Sequence, residues 1–359
     1  MKIASIVGAR PQFIKCAPVS RELRKDHEEV LVHTGQHYDH GMSEVFFEEL
    51  RIPKPDYNLN IGSGTHGHQT GAMLGAIEDV LRKENPDLVL VYGDTNSTLA
   101  GALAAAKLHI PVAHVEAGLR SNDRRMPEEV NRVLTDHASD LLFCPTETAV
   151  ANLAAEGITG GVHLVGDVML DAMNYNRALA EERSRVLEEV GVRPGEYLVI
   201  TVHRPSNTDN RENMAAILGA LGEAGRPVVF PVHPRTRKYL SEYGLLAEMP
   251  ENVRVAEPLG YLDMIRLMAH AEKVLTDSGG IQKEAYMLGV PCITLRENTE
   301  WVETVEAGWN ALVGAERERI IDAIRYLSPG SRQMGIFGNG NASVLIGEIL
   351  TGLKGARSR

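Results

Sequence analysis

Acidic residues gather at the ends of predicted strands. The segment HVEAGLRSNDRRMPEEVNR, residues 114–132, places four carboxylates and four arginines within nineteen residues, directly after the apolar run 110–113. Glu116 follows the strand pattern PVAHV, Glu128 opens the helical pattern MPEEVNR, and Asp94 follows the strand pattern LVLVY. In open α/β sheets, ligands bind outside the carboxyl ends of the strands, so these acids are predicted to line a ligand cleft. The simpler alternatives are that Asp94 caps a helix and that Glu128 is a first-turn acid favoured by the helix dipole.

Two other segments have the composition of a phosphate site. GARPQFIK places Arg10 and Lys15 near a helix N-terminus that begins with Pro11, where the helix dipole disfavours cations unless an anion is bound. The alternative to an anion site in this segment is a surface loop in which both cations are solvated. The stronger signal is DSGGIQKEA, because backbone N–H groups at a helix start bind phosphate and glycine permits close approach; the residues are Ser278, Gly279 and Gly280. Glu284 is a candidate for binding ribose hydroxyls, or is only a first-turn acid. Neither segment is a G-x-G-x-x-G or Walker loop, which argues against nicotinamide and NTPase functions.

Histidines add one candidate and no metal site. His203 follows the strand pattern VITV and is predicted to face the first domain if the two domains are arranged mouth to mouth, although lone histidines are usually structural and the chain has 13. HYDH at 37–40 and HGH at 66–68 have loosely metal-like spacing, but no carboxylate or cysteine pattern supports them. We therefore expect neither a metal nor a cofactor.

Short β-rich runs alternate with longer helical patterns, which is typical of βαβ units around a parallel sheet. The first series of predicted strands covers 3–7, 30–33, 88–92, 111–115, 141–144 and 162–165. The second series covers 197–202, 227–232, 252–256, 273–276, 291–295 and 311–314. A polar helical stretch at 168–190 separates the two series. We predict two doubly wound, Rossmann-like domains, 1–167 and 168–340, with a C-terminal helix at 341–359 that packs back on the first domain.

Composition limits the partners. The chain has 359 residues and a formal net charge of -11, which argues against DNA or RNA as a partner because those surfaces need a basic footprint. Three cysteines without C-x-x-C spacing predict buried thiols in a reducing compartment. No apolar run approaches the length of a membrane span, and the N-terminal apolar stretch is too short for a signal peptide. We expect a cytoplasmic protein that binds a small, locally caged phosphate ligand.

Taken in order, the motifs resemble those of a known family. GARPQFIK, TGQH, GDTNSTLAGALAA, HVEAGLRS, PEEVNR, CPTE, TVHRP, PVHP and DSGGIQKEA, spread over about residues 8–314, closely resemble the non-hydrolysing UDP-N-acetylglucosamine 2-epimerases. The resemblance implies a glycosyltransferase-B-like fold, in which two Rossmann-like domains face each other across a cleft that holds a UDP-sugar. It also implies a homodimer.

The same resemblance assigns roles by motif. The residues that would hold UDP are Arg10, Lys15, Leu259, Met264, Ser278, Gly279, Gly280 and Glu284. The catalytic residues around the sugar would be Asp94, Glu116, Glu128 and His203. The positions that match the family's activator site are Gln36, His37, His68, Gln69 and His233.

The implied chemistry explains the crowded acids. The C2 proton of the sugar is too weakly acidic to be removed directly, but departure of UDP gives C1 oxocarbenium character that acidifies C2. Removal of the proton then yields 2-acetamidoglucal and UDP, and inversion at C2 requires a proton from the opposite face, so one base cannot serve both steps. Glu116 and Glu128 are predicted to face the ring, with Arg120 and Arg132 orienting them.

Three departures from the family pattern concern substrate and regulation. GARPQFIK replaces the usual GTRPEAIK, NTEWVE puts Trp301 where relatives carry an arginine in TERPE, and His68 replaces an arginine that precedes a glutamine in RQT. The first two also occur in enzymes that resemble UDP-2,3-diacetamido-2,3-dideoxyglucuronate 2-epimerases. That uronate is the alternative substrate, and Arg124 and Arg125 are the candidates for pairing with its carboxylate unless they are a solvated surface pair. We favour the neutral N-acetylglucosamine sugar.

Two other function classes fit the same fold. A glycosyltransferase would need an acceptor site and no pair of bases on opposite sugar faces. A nucleotide-sugar sensor would keep the phosphate-binding segments and could dispense with the acids. The presence of all the acids favours an epimerase.

Overall fold

The computed structural model describes residues 1–35, 54–330 and 335–357, which fold as two compact units. Unit 1 comprises Met1–Ala172 and Met334–Arg359, and unit 2 comprises Met173–Gln333. The first division falls inside the helix Val168–Arg183, whose start coincides with the boundary predicted at 167/168. None of the described helices is long and apolar enough to cross a membrane.

Unit 1 is built on a parallel sheet of seven strands. The strands are β1 (Lys2–Val7), β2 (Glu28–His33), β3 (Tyr57–Asn58), β4 (Leu88–Tyr92), β5 (Val112–Val115), β6 (Leu141–Cys144) and β7 (Val162–Leu164). Their order is β3-β2-β1-β4-β5-β6-β7, and every neighbouring pair is parallel. The central strand β4 is buried along its whole length, as expected for a parallel sheet covered on both faces.

The helices of unit 1 connect successive strands. They are α1 (Arg10–Asp26), α2 (His66–Glu84), α3 (Asn96–Lys107), α4 (Pro127–Ala138) and α5 (Glu147–Ala155). A further helix, α6 (Val168–Arg183), follows β7 and continues into unit 2. Local sequence explains three of the starts. Proline occupies the first turn of α1 and α4, where its missing N–H costs nothing, and the Thr95 side chain accepts a hydrogen bond from the Thr98 N–H at the start of α3.

Unit 2 repeats the architecture with six parallel strands. They are β8 (Leu198–Thr201), β9 (Val228–Pro231), β10 (Val253–Ala256), β11 (Lys273–Thr276), β12 (Cys292–Thr294) and β13 (Asn310–Leu312), in the order β10-β9-β8-β11-β12-β13. The helices are α7 (Val186–Val190), α8 (Pro205–Thr208), α9 (Arg211–Gly222), α10 (Pro234–Glu242), α11 (Tyr261–Ala269), α12 (Gly279–Leu288), α13 (Val302–Glu306) and α14 (Arg317–Tyr326). The core of this unit lies between the sheet and helices such as α9 and α14.

The C-terminal helix α15 (Ala342–Arg357) belongs to unit 1 and packs against α1. Asp171 of α6 accepts hydrogen bonds from the Ala342 and Ser343 N–H groups at 3.2 and 2.9 Å, so a buried carboxylate caps the start of α15. Farther along α15, Thr351 Oγ1 lies 3.0 Å from His27 Nε2 at the end of α1.

The predicted fold class of two parallel, doubly wound sheets is confirmed. Both sheets have the Rossmann strand order, in which the direction of strand addition reverses beside the first strand. The reversal lies between β1 and β4 in unit 1 and between β8 and β11 in unit 2. Ligands of such sheets bind at that point, outside the carboxyl ends of the strands.

Candidate active site

The turn after β1 is tied to the end of β4 by one side chain. Gln12 is buried, and its Oε1 accepts hydrogen bonds from the N–H groups of Gly8 and Ala9 at 2.8 and 3.0 Å. Its Nε2 donates to the Tyr92 carbonyl at 2.9 Å and to Thr98 Oγ1 at 3.0 Å. The amide therefore fixes the turn that precedes the predicted anion-binding residues Arg10 and Lys15 against the strand end that carries Asp94.

Asp94 lies at the end of β4 and is ion-paired. Its Oδ2 is 2.5 Å from Arg132 Nη2, and Arg132 also binds Glu129 at 2.9 Å. Burial lowers the pKa of the Arg132 guanidinium, but the negative charges of Asp94, Glu129 and Glu116 raise it by a larger amount. The pKa therefore lies above its usual value. Arg132 is thus a permanent cation beside the predicted catalytic acids.

Glu116 lies at the end of β5 in a strained backbone conformation. Its φ is 73°, in the left-handed region that residues other than glycine rarely adopt. Its carboxylate pairs with the ammonium of Lys15, and both side chains are largely buried. Strain of this kind persists only where the surroundings enforce it, and it concentrates at functional sites.

Gly93 makes this arrangement sterically acceptable. Its φ is 66°, and a Cβ atom added there would lie 3.1 Å from Lys15 Nζ and 3.4 Å from Glu116 Oε2. The turn after β4 therefore carries no side chain where the Lys15–Glu116 pair lies.

Two adjacent glutamates at the start of α4 have different surroundings. Glu128 is exposed, whereas Glu129 is buried and accepts hydrogen bonds from the Ser121 and Asn122 N–H groups at 2.9 and 3.0 Å. Burial raises the pKa of the Glu129 carboxyl, but these bonds and Arg132 lower it more. Glu129 holds the loop before α4 in place, and Glu128 is left as the solvent-accessible acid.

The two arginines predicted to orient the acids act differently. Arg132 contacts Asp94 and Glu129, not Glu128. Arg120 forms ion pairs with Asp136 and Glu156, both at 2.7 Å, and Asp136 also accepts a hydrogen bond from the Gly118 N–H, two residues after Glu116. Asp136 also contacts the buried His114, a residue that sequence reasoning missed although it opens the HVEAGLRS motif.

In unit 2, the ends of β8 and β11 meet at Asp277. This buried carboxylate accepts hydrogen bonds from the N–H groups of His203 and Arg204 at about 3 Å and from Asn207 Nδ2 at 3.1 Å. His203 Nδ1 also lies 3.4 Å from Asp277 Oδ1. Desolvation lowers the pKa of His203, with contributions from Arg204 and His233, and Asp277 only partly opposes the shift. Asp277 therefore positions His203, a role that its place in DSGGIQKEA could have suggested.

The start of α12 has the geometry of an anion site. Ser278 is its N-cap, Gly279 and Gly280 form the first turn, and Glu284 is buried one turn later. Arg296 and Glu300 pair at 3.0 Å beside Gly279, where an added Cβ atom would lie 3.2 Å from Glu300 Oε2.

A cation lies over the ring of Trp301, the residue that follows Glu300. The Lys283 ammonium lies 4.2 Å from the centroid of the Trp301 ring, within the range of a cation–π interaction. Positive charge is therefore present where relatives are expected to carry an arginine. The predicted uracil contacts Leu259 and Met264 are partly buried, before and within α11.

The predicted regulatory residues belong to both units. Gln36 and His37 lie outside the described residues. His68 is exposed, whereas Gln69 is buried in α2. Gln69 Nε2 donates a hydrogen bond to the Gly62 carbonyl at 2.9 Å, and Gln69 Oε1 accepts one from Asn96 Nδ2 at 2.8 Å. His233 belongs to unit 2, where its Nδ1 accepts a hydrogen bond from the Arg235 N–H at the start of α10.

Comparison with known proteins gives matches over nearly the whole chain. A family model described as UDP-N-acetylglucosamine 2-epimerase matches residues 21–351. A protein of Methanococcus maripaludis named UDP-N-acetylglucosamine 2-epimerase homolog is 57% identical over 357 residues, covering 98% of this chain and 100% of the relative. A UDP-2,3-diacetamido-2,3-dideoxy-D-glucuronate 2-epimerase of Pseudomonas aeruginosa is 50% identical over 363 residues, covering 98% and 100%.

Solved structures also match nearly the whole chain. The crystal structure of Methanocaldococcus jannaschii UDP-GlcNAc 2-epimerase in complex with UDP-GlcNAc and UDP is 49% identical to this chain, with a TM-score of 0.88. The match covers 98% of this chain and 99% of that one. The enzyme of Neisseria meningitidis bound to UDP-GlcNAc is 34% identical, with a TM-score of 0.87 over 98% of this chain and 100% of that one.

Proposed function

Because this chain belongs to the UDP-N-acetylglucosamine 2-epimerase family, a family of isomerases, we propose that it interconverts UDP-N-acetylglucosamine and UDP-N-acetylmannosamine. The observation that carries the proposal is a cluster of two acids, each paired with a cation: Asp94 with Arg132 and Glu116 with Lys15. These acids follow the neighbouring parallel strands β4 and β5. An epimerisation that removes a proton from one face and adds another proton to the opposite face needs more than one such acid.

The reaction balances without an external oxidant or metal. The C1–O bond breaks, with its electron pair leaving on the UDP oxygen, and the C2 proton passes to a carboxylate, giving 2-acetamidoglucal and UDP. Return of UDP to C1 with protonation of C2 on the opposite face gives the epimer. We assign the proton transfers to three acids of unit 1, called the unit 1 acids below: Asp94, Glu116 and Glu128.

Lys15 links the departure of UDP to the removal of the C2 proton in this scheme. Its ammonium pairs with Glu116 and neutralises that carboxylate. As the C1–O bond breaks, the diphosphate gains negative charge and attracts the same ammonium. Glu116 then loses its cation and becomes a stronger base as the C2 proton becomes acidic. Lys15 therefore binds the diphosphate and also makes proton removal by Glu116 coincide with cleavage of the C1–O bond.

Unit 2 supplies the nucleotide site in this proposal. The N-terminus of α12 binds the diphosphate through the backbone of Ser278, Gly279 and Gly280, and Glu284 accepts hydrogen bonds from the ribose. Leu259 and Met264 contact the uracil, and His203, held by Asp277, contacts the sugar. We thus propose that residues 1–167 with 341–359 act on the sugar and that 168–340 hold most of the UDP.

A second candidate substrate is UDP-2,3-diacetamido-2,3-dideoxyglucuronate. The 50% identity to the Pseudomonas aeruginosa epimerase named for that sugar favours it. The surroundings of Arg125 favour the neutral sugar, because this exposed guanidinium already pairs with Asp123 at 2.8 Å and, through that hydrogen bond, lowers the pKa of Asp123 to about 2. Arg124 is also exposed.

We propose in addition that the chain acts as a cytoplasmic homodimer. The family resemblance supports the dimer. Cys16, Cys144 and Cys292 are buried free thiols, and burial raises the pKa of the Cys144 and Cys292 thiols to about 12, which suits a reducing compartment without requiring one. Light scattering on the purified protein tests the dimer directly.

The test of function is a comparison of two nucleotide sugars. Purified protein is incubated with each sugar without added nicotinamide and in the presence of EDTA, and the anomeric proton signals are followed by NMR. We expect UDP-N-acetylmannosamine to form, and kcat/KM for UDP-N-acetylglucosamine to change little in Arg124→Ala and Arg125→Ala. A preference of about 10²-fold for the uronate that disappears in either variant would overturn the choice of sugar but not the reaction.

A further inference from the structure

A buried histidine lies beneath the two acid-bearing turns of unit 1. His114 is on β5 and has no exposed surface. Its Nε2 is 2.7 Å from the Gly93 carbonyl oxygen, and its Nδ1 is 2.7 Å from Asp136 Oδ1. A carbonyl oxygen can only accept a hydrogen bond, so Nε2 carries a hydrogen.

The surroundings of Asp136 decide the state of the other ring nitrogen. Oδ2 of Asp136 accepts hydrogen bonds from the Gly118 N–H at 3.1 Å and from Arg120 Nη1 at 2.7 Å. Burial raises the pKa of the Asp136 carboxyl, but His114 and Arg120 lower it more, so it is ionised. An ionised carboxylate can only accept, so Nδ1 also carries a hydrogen.

The group is balanced in charge. An imidazolium at His114 and a carboxylate at Asp136 are matched by the pair of Arg120 with Glu156, which has bonds of 2.7 and 2.8 Å. The Cys144 thiol also interacts with Asp136, and it stays neutral because burial raises its pKa to about 12. The desolvation cost of a buried charge is offset when the charge is paired and fully hydrogen-bonded in this way.

The histidine and its partner hold two turns at once. Gly93, whose carbonyl binds His114, precedes Asp94, and Gly118, whose N–H binds Asp136, follows Glu116 by two residues. Gly93, Glu116 and Gly118 all have positive φ values, of 66°, 73° and 80°. Glycine adopts such values without strain, but Glu116 does not, and its conformation persists only because the surrounding structure enforces it.

We propose that His114 is a doubly protonated positioning residue, which with Asp136 clamps the Asp94 turn and the Glu116 turn in the geometry needed for proton transfer. It does not touch the reacting atoms. The catalytic consequence rests on the proposed function, but the protonation state does not.

The first test is made on the unaltered protein. Histidine labelled with ¹⁵N is observed by NMR near neutral pH, and the His114 ring signals are assigned by their loss in His114→Gln. We expect both ring nitrogens to have the chemical shifts of N–H groups. A shift typical of an unprotonated nitrogen at either position would overturn the proposal, whatever reaction the protein catalyses.

The second test uses matched variants. In His114→Gln, both amide N–H donors are on one nitrogen, which cannot replace two separate ring nitrogens that reach Asp136 and Gly93. We therefore expect kcat to fall about 10²-fold, with KM within a few-fold, as for a misplaced catalytic group. His137→Gln is the control, since His137 is half-exposed on α4 in the same unit and contacts Glu156 and the Val133 carbonyl. Equal kcat values in the two variants would overturn the positioning role.

Asp136→Asn separates charge from shape and serves if His114→Gln fails to fold. The amide can donate to Nδ1 while its oxygen still accepts from Arg120 and Gly118. We expect the Nδ1 signal to move to that of an unprotonated nitrogen, and kcat to fall while UDP affinity is retained. An unchanged Nδ1 signal or unchanged kcat would contradict the proposal. If the unaltered protein shows no epimerisation at all, the proposed function fails, and the ¹⁵N experiment still decides the state of His114.

Discussion

Replacing Gly93 by alanine places a methyl group where the Lys15–Glu116 pair lies. The added Cβ atom would be 3.1 Å from Lys15 Nζ and 3.4 Å from Glu116 Oε2, close enough to displace the ammonium by a few tenths of an ångström. The backbone contributes a separate effect, because φ at this position is 66°. A left-handed conformation costs an L-residue roughly 1–2 kcal/mol, which corresponds to a fall in Tm of about 2–4 °C for each kcal/mol in a domain of this size.

The two effects can be separated with a second glycine. Gly225 has φ 63°, and a Cβ atom added there meets no heavy atom within 4 Å, so Gly225→Ala carries the backbone cost without a contact. We expect both variants to lower the Tm of their own unit by similar amounts. Only Gly93→Ala should lose activity, by about 10²-fold in kcat, because it shifts a reacting group.

The assay combines calorimetry with the rate of UDP-N-acetylglucosamine epimerisation at a temperature well below both transitions. Loss of stability in Gly93→Ala with an unchanged rate would show that the Lys15–Glu116 geometry is not catalytic. An equal loss of rate in both variants would show that the rate follows stability alone.

Three further predictions concern the acids, regulation and pH. Amide variants of the unit 1 acids should lower turnover by about 10²-fold or more while UDP binding, measured by calorimetry, survives; these are Asp94→Asn, Glu116→Gln and Glu128→Gln. Activation by a second substrate molecule should be weak or absent, since His68 cannot grip a diphosphate as an arginine would, and a sigmoidal rate curve would contradict this. Desolvation holds the pKa of His203 below 6.5, so its NMR titration should lie below that value. Because the folded state disfavours the charged form, His203 lowers the stability of unit 2 as pH falls below about 6.5 and has no such effect above it. Asp277→Asn removes the charge that opposes the shift, so the His203 pKa should fall further, and a rise would refute the assignment.

The regular part of the fold could be predicted from the sequence. All the predicted strands are present, because buried parallel strands are nearly continuous runs of apolar residues and stand out between amphipathic helices. The strand β3 was not predicted. It has only two residues, Tyr57 and Asn58, and pairs with β2 at the edge of the sheet, so it carries no pattern of its own.

The site could be predicted only as far as strand ends define it. The positions of Asp94 and Glu116 follow from their strands, but the pairing of Lys15 with Glu116 joins residues about a hundred positions apart, and no local pattern encodes it. The difference between Glu128 and its buried neighbour Glu129 depends on a rotation of about 100° around a helix whose orientation the sequence does not specify. His114 was missed because a histidine inside an apolar strand gives no sign of its partners.

The central claim is that C2 is epimerised by proton transfer after UDP departs, and isotope incorporation tests it most directly. The protein is incubated with UDP-N-acetylglucosamine in D₂O, and C2 of both nucleotide sugars is examined by NMR and mass spectrometry. We predict that the UDP-N-acetylmannosamine formed carries deuterium at C2, because the acid that protonates the opposite face carries a deuteron from the solvent. Product that keeps protium at C2 from the first turnovers onward would contradict the mechanism.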